Sequence, residues 1–281
     1  MNISVVQDTI FHNKFSLNCR GKIIPLSTPL VMGIINCTPD SFHGDSRAQS
    51  IDAAIQMAQK HLSEGAAILD IGACSTRPGA EAVSLQEELA RIVPVIEALR
   101  KNFPDALLSI DTFRSEVIEA LLPFGIDMVN DVSAAADEKI LQLISGKNIP
   151  YVLMHNAEKA EYRNITAQVY QLFQKKSEEI KRHKINDVII DLGFGFAKTL
   201  EHNYKLLDAL PFFSNLNLPV MIGVSRKSMI YKVLNTTPDK ALNGTSAVHA
   251  FALMKGGNIL RVHDVKEAKE VIDLYLKMKN R

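Results

Sequence analysis

The feature that most constrains this sequence is an alternation repeated eight times. A short apolar run ends on a polar side chain, a loop follows, and then a helical pattern begins. The runs are LVMGIIN (30–36), AAILDIG (66–72), LLSID (107–111), IDMVNDV (126–132), PYVLMH (150–155), DVIIDLG (187–193), PVMIGVSRK (219–227) and NILRVHD (258–264). Each is too short for a helix and rich in Val, Ile and Leu, so each reads as a parallel strand buried on both faces. From Asn36 to His263 the chain advances 227 residues in seven steps, about 32 per unit, an ordinary βαβ length. Eight such units predict a single (β/α)8 TIM barrel. Ser84-Leu-Gln-Glu87 predicts a helix start through a capping box, and Asp264 with Glu267 predicts another. A further helix is expected over about 165–184, with its charges on a solvated face. Residues 1–28 stand outside the repeat. There FSLNCRGKIIPLS predicts a β-hairpin turning at Arg20-Gly21 and plugging the N-terminal mouth of the barrel.

The 281 residues would suit one barrel or two ordinary domains. No Pro-, Ser- or Gly-rich linker divides them, so 1–281 reads as one domain. Lys plus Arg number 32 and Asp plus Glu 31, a net charge of +1, which argues against a nucleic-acid-binding surface. No apolar stretch reaches the length of a membrane span. The N-terminus lacks the basic-then-apolar pattern of a secretory leader. Cys19, Cys37 and Cys74 are too few and too scattered for a disulfide framework or a cysteine zinc site. A reducing, cytoplasmic setting is expected.

The ends of the runs carry the chemistry. In order they are Asn36, Asp70, Asp111, Asn130 with Asp131, His155, Asp191, Ser225 with Lys227, and Arg261 with His263. In a barrel these ends share one face, where active sites sit. Buried carboxylates are costly unless paired, so polar residues at all eight ends read as a site. Asp111, Asn130 and Asp191 offer acceptors, with one amide that also donates. They suit the edge of a flat, amidine-like heterocycle. Arg77, Arg261 and His263 offer donors suited to phosphate oxygens. The predicted ligand is a nitrogen-rich ring with a phosphorylated tail.

Two loops extend this face: 36–45, where Thr-Pro-Asp-Ser also reads as a helix start, and 70–79, which carries Thr76 and Arg77. Gly193-Phe-Gly-Phe-Ala-Lys198 is not a dinucleotide fingerprint, because the spacing and the downstream acid are wrong. Phe194 and Phe196 fit either ring stacking or core packing. His12, His61, His183, His202 and His249 lack metal-ligand spacing and read as surface or packing residues. Cys37 and Cys74 have no identifiable histidine base.

Nine motifs in one order make the chain resemble the dihydropteroate synthases of folate biosynthesis, from about Cys19 to Asp273. They are MGIINCTPDSF, DIGACSTRPGA, SIDTFRSEV, VNDVS, VLMH, IIDLGFGFAKTLEHN, GVSRKS, NGTSA and LRVHDV. The resemblance implies condensation of a dihydropterin pyrophosphate with p-aminobenzoate, assisted by Mg2+, in a homodimer. It also implies site roles. Asp111, Asn130, Asp191 and Lys227 would hold the pterin ring, with Met154, Phe196 and Gly223 completing the substrate-binding set. Asn36, Arg261 and His263 would hold pyrophosphate, Asn36 also lying near the metal. Thr76 and Arg77 would act from the second loop, and Ser228 would lie near p-aminobenzoate. Arg77, Arg261 and His263 would be catalytic, because a departing pyrophosphate needs positive charge where negative charge accumulates.

The sequence departs from the family pattern in its loops. His43-Gly44-Asp45 stands where Asp-Gly-Gly is common, and Asn156–Ala160 where Met-Arg-Gly is common. Gly72-Ala73 replaces Gly-Gly, Leu192 replaces Pro, and Ala197 replaces the Gly before Lys198. A non-catalytic pterin-binding protein and a reduced-folate methyltransferase are the alternative expectations. Retained Arg77, Arg261 and His263 weigh against both, because neither function needs a pyrophosphate site.

Overall fold

The computed structural model describes residues 15–37, 47–74 and 83–279. The chain runs β1 (Ser16–Cys19), β2 (Lys22–Pro25), β3 (Leu30–Asn36), α1 (Arg47–Ser63), β4 (Ile68–Gly72), α2 (Leu85–Asn102), β5 (Leu107–Asp111), α3 (Ser115–Leu121), β6 (Met128–Asp131), α4 (Glu138–Ile144) and β7 (Tyr151–Met154). It continues through α5 (Ile165–Arg182), β8 (Val188–Asp191), α6 (Leu200–Asp208), α7 (Leu210–Phe213), β9 (Val220–Ile222), α8 (Ser228–Tyr231), α9 (Leu242–Met254), β10 (Ile259–Val262) and α10 (Val265–Lys279). Strands β3 to β10 close a barrel in sequence order, with β10 pairing in parallel to β3. The predicted eight strands are all present. β3 and β5 keep their expected limits. β9 is shorter than its apolar run, because Arg226 takes a left-handed φ of 55° and turns the chain toward α8.

Alternation along each strand sorts side chains between lumen and helix layer. Met32, Ile68, Leu107, Met128, Val152, Ile189, Met221 and Ile259, one from each strand, form an apolar floor inside the barrel. Residues of opposite parity, such as Leu69, Ile71, Leu108 and Ile110, join the layer packed by Ile92, Ile96, Val117 and Phe173 of the helices. Two residues beyond the floor, each strand again points inward. Those positions are Ile34, Asp70, Ser109, Asn130, Met154, Asp191, Gly223 and Arg261. The lumen therefore changes from apolar to polar within one layer.

The β1–β2 hairpin closes the floor from below, as expected. Leu17, Cys19 and Leu26 pack into the floor cluster. Arg20 and Gly21 both take positive φ, 54° and 94°, as a two-residue hairpin turn requires. The turn is held by Arg20 N–H donating to Asn148 O at 2.7 Å and by its guanidinium donating to Gly125 O at 2.6 Å. Asn18 N–H donates to Asp187 Oδ2 at 3.1 Å. The Ser84–Glu87 capping box also forms, with Ser84 Oγ accepting from Glu87 N–H at 3.3 Å. The helix expected over 165–184 is α5, capped by Asn164.

Candidate functional site

At the C-terminal ends of the strands, Arg261 is the centre of an ion-pair network. Its Nε donates to Asp70 Oδ2 at 2.6 Å and its Nη2 to Asp111 Oδ2 at 2.5 Å. Asn130 Nδ2 donates to the same Asp70 oxygen at 3.0 Å. Asp70, Asp111 and Asn130 are all buried. This arrangement fixes the Asn130 amide: its nitrogen is spent on Asp70, so its Oδ1 is left as an acceptor. Asp70 Oδ1, Asp111 Oδ1 and Asn130 Oδ1 are buried without a hydrogen-bond partner. Buried acceptors are rarely left unmade, and three on neighbouring strands define a site that wants N–H donors. Burial pushes the Asp111 carboxyl up, to about 7, while the Arg261 guanidinium pulls it back toward ionisation. Arg261 itself is held firmly charged: burial alone would lower its pKa, but Asp70 and Asp111 raise it.

The opposite wall comes from β8 and the turn after β9. Asp191 Oδ1 accepts from Gly193 N–H at 2.8 Å. Lys227 Nζ donates to Phe194 O at 2.6 Å and lies 4.9 Å from the Phe196 ring centroid. Burial lowers Lys227 to about 8, against the stabilising charge of Asp191. Gly223 stands between them: a Cβ there would meet Asp191 Oδ2 at 3.4 Å and Lys227 Nζ at 3.7 Å. Gly72 similarly lies against Asp111, where an added Cβ would come 3.3 Å from that residue's Cβ. The neighbouring Ala73 points into the helix layer instead, which is why a side chain is tolerated there. Arg226 pins the β9 turn to the end of β10 by a two-pronged pair with Asp264, at 2.8 and 2.7 Å. His263 Nδ1 lies 3.1 Å from Ser225 Oγ.

The strand ends thus bring together Asp111, Asn130, Asp191, Gly223, Lys227 and Arg261, with Met154 buried at the end of β7. Asn36 ends β3, and Ser228 opens α8. Thr76, Arg77 and the loop from 38 to 46 lie outside the described residues. The expectation that every polar strand end faces the site needs correction at two positions. Asp131 has outward parity and accepts from the Tyr151 hydroxyl, Ser133 N–H and Ala135 N–H. His155, also outward, is engaged by Lys198 Nζ at 2.9 Å. Phe194 is core and Phe196 is half-buried at the rim, which divides the two readings of that pair. Arg261, expected as a phosphate donor, also serves as counter-charge to Asp70 and Asp111. Asp70 is the residue that the expected binding set omits. Its signal is nonetheless in the sequence, because it lies two residues beyond the floor residue Ile68.

A parallel barrel whose polar end presents unsatisfied acceptors on one wall and a half-buried lysine on the other is the architecture of a ligand-binding (β/α)8 enzyme. The sequence profile of the family described as pterin binding enzyme matches residues 32–263. A dihydropteroate synthase of Haemophilus influenzae is 38% identical over 268 residues, covering 92% of this chain and 97% of the relative. The structure of Xanthomonas albilineans dihydropteroate synthase with 4-aminobenzoic acid superposes with a TM-score of 0.90. It is 36% identical and covers 95% of this chain and 99% of that one. The Thermus thermophilus dihydropteroate synthase in complex with 6HMPPP superposes with a TM-score of 0.83 at 32% identity, covering 94% of this chain and 100% of that one. The chain belongs to the dihydropteroate synthase family of pterin-binding enzymes.

Proposed function

We propose that the chain condenses 6-hydroxymethyl-7,8-dihydropterin pyrophosphate with p-aminobenzoate, giving 7,8-dihydropteroate and pyrophosphate. The observation that carries this reading is the set of unpartnered buried oxygens on Asp70, Asp111 and Asn130. The 2-amino and N3–H edge of a pterin supplies adjacent N–H groups for such acceptors. Asp191 and Lys227 hold the ring from the other side, between the backbone at Gly223 and the rims formed by Met154 and Phe196. The arylamine nitrogen attacks the methylene as the C–O bond to pyrophosphate breaks, and the amine gives up a proton to the departing pyrophosphate or to water as the C–N bond forms. Positioning of the two substrates is most of the task, and no covalent intermediate on the chain is needed.

Arg77, the remaining Nη1 of Arg261, and His263 receive the charge that develops on pyrophosphate. Ser228 borders the p-aminobenzoate, and Thr76 contributes to substrate binding from the second loop. Among the described residues no group of three His, Cys, Asp or Glu is placed to hold a metal alone. A magnesium ion bound through substrate phosphates needs only one or two protein oxygens, and the amide of Asn36 is a suitable one. When bound, the ion neutralises charge on the leaving group. A homodimer is supported by exposed apolar side chains on the packed pair α9 and α10: Phe251 and Met254, Leu274 and Met278. A cytoplasmic setting agrees with three free cysteines.

The test is pyrophosphate release by the purified chain with both substrates and Mg2+. Release that requires p-aminobenzoate is expected. Pterin binding without release would establish a non-catalytic binder, and methyl transfer from a reduced folate would establish the other alternative.

A further inference from the structure

Lys198 is a half-buried lysine that the chemistry above does not use. It fills the inside of the turn between β8 and α6. Its Nζ donates to Gly193 O at 2.8 Å and Phe196 O at 2.9 Å, and it reaches His155 Nδ1 at 2.9 Å and His155 O at 3.3 Å. Burial lowers His155 to about 3, so its imidazole is neutral and Nδ1 accepts from Lys198 Nζ–H, while burial pushes the lysine itself down to about 7.

The turn that Lys198 fills has an expensive backbone. Gly193, Gly195 and Ala197 all have positive φ, at 66°, 85° and 43°. An alanine in that region costs on the order of 1 kcal/mol. Gly193 also runs so close to β7 that a Cβ would lie 2.0 Å from His155 O. The Tyr162 hydroxyl ties the far side by donating to Ala197 O at 3.0 Å, and its ring lies 5.9 Å from that of His155. Such a path persists only where surrounding contacts over-determine it.

What the turn carries is the immediate environment of Lys227: the Phe194 carbonyl that accepts from its Nζ and the Phe196 ring beside it. It also carries Gly193 N–H, which orients Asp191. We propose that Lys198 is a positioning residue, which with His155 and Tyr162 sets the Gly193–Ala197 turn so that Lys227 is held at the ring site. The proposal rests on the reading of Lys227 as a pterin-binding group. It predicts that Lys198 contributes to pterin affinity mainly through Lys227, with a smaller share through the Gly193 N–H that orients Asp191.

The experiment is a double-mutant cycle on the full chain, read by calorimetric binding of 6-hydroxymethyl-7,8-dihydropterin. Binding by the parent chain and its loss of affinity in Lys227→Ala are measured first, so that failure of the pterin reading shows there and not in the cycle. Lys198→Met should weaken binding by about tenfold in the parent background, the scale of one buried hydrogen bond lost. In the Lys227→Ala background it should weaken binding by less than about threefold. A merely structural role would lower the melting temperature in both backgrounds and leave the two effects on affinity equal. Equal effects, or unchanged affinity in the parent background, overturn the proposal. Should Lys198→Met fail to fold, Tyr162→Phe, which removes one hydrogen bond and no charge, is carried through the same cycle with the same criteria.

Discussion

At the scale of single residues, the site is a balance between three lumen carboxylates, Asp70, Asp111 and Asp191, and two cations, Arg261 and Lys227. Asp70 touches both Arg261 and the Asn130 amide, so it orients as well as neutralises. Asp70→Ala should cost about 3–5 kcal/mol of stability, because it leaves Arg261 short of a buried counter-charge. It should also weaken pterin binding by freeing the Asn130 amide to rotate. Urea unfolding beside calorimetry checks both, and full pterin affinity in this variant would remove the orienting role. Asp111 and Lys198 are both shifted to about 7, and Lys227 carries the titration above them. Its pKa is lowered from 10.5 to about 8 by burial, so the folded, unliganded chain loses this charge as pH rises through about 8. Pterin affinity should therefore fall on the alkaline side of that value. Lys227→Arg keeps its charge over the whole range, and its affinity profile should stay flat there. An alkaline fall that persists in Lys227→Arg would assign the titration to another group. Much of this is readable from strand parity alone. Asn130 points inward and Asp131 outward because they are neighbours on one strand. The amide orientation of Asn130 is not readable, since it depends on Asp70, sixty positions away in the chain.

At the scale of elements, the turns after the strands are shaped by contacts from other units. Arg91 of α2 reaches Ala73 O at 3.4 Å, and Arg114 reaches Val83 O at 2.7 Å while pairing with the buried Glu88. The two flanks of the second loop are thereby anchored to α2 and to the β5–α3 turn. The β8–α6 turn is restrictive, since Gly193 has both a positive φ and no room for a side chain against a backbone carbonyl. Gly193→Ala should unfold much of the chain or displace the turn, with a fall of several kcal/mol in stability. A thermal melt and pterin binding measured on the same preparation check this, and a near-parental result in both would show that the turn adapts. The motif around Gly193 is visible in the sequence. The need for glycine is not, because the opposing atom is a backbone carbonyl at the end of β7.

At the scale of the whole molecule, the barrel is closed below by the β1–β2 hairpin and carries the site at its opposite end. The exposed apolar side chains of α9 and α10 lie on the outer helix layer, and burying them between two copies would remove their contact with water. Phe251→Glu should convert the proposed dimer to monomer in light scattering, with pterin affinity unchanged. A parent chain that is already monomeric would retire the dimer reading. The sequence by itself determined the architecture, because eight apolar runs of strand length, each followed by a helical period, have one economical closed solution. It also determined the chemistry on offer, because the acidic, amide and basic residues recur at the ends of those runs. Only the tertiary structure decided which of them meet. Hydrogen bonds and ion pairs in the lumen join residues as far apart as Asp70 and Arg261. Their partners depend on barrel stagger and side-chain direction, neither of which a linear pattern contains.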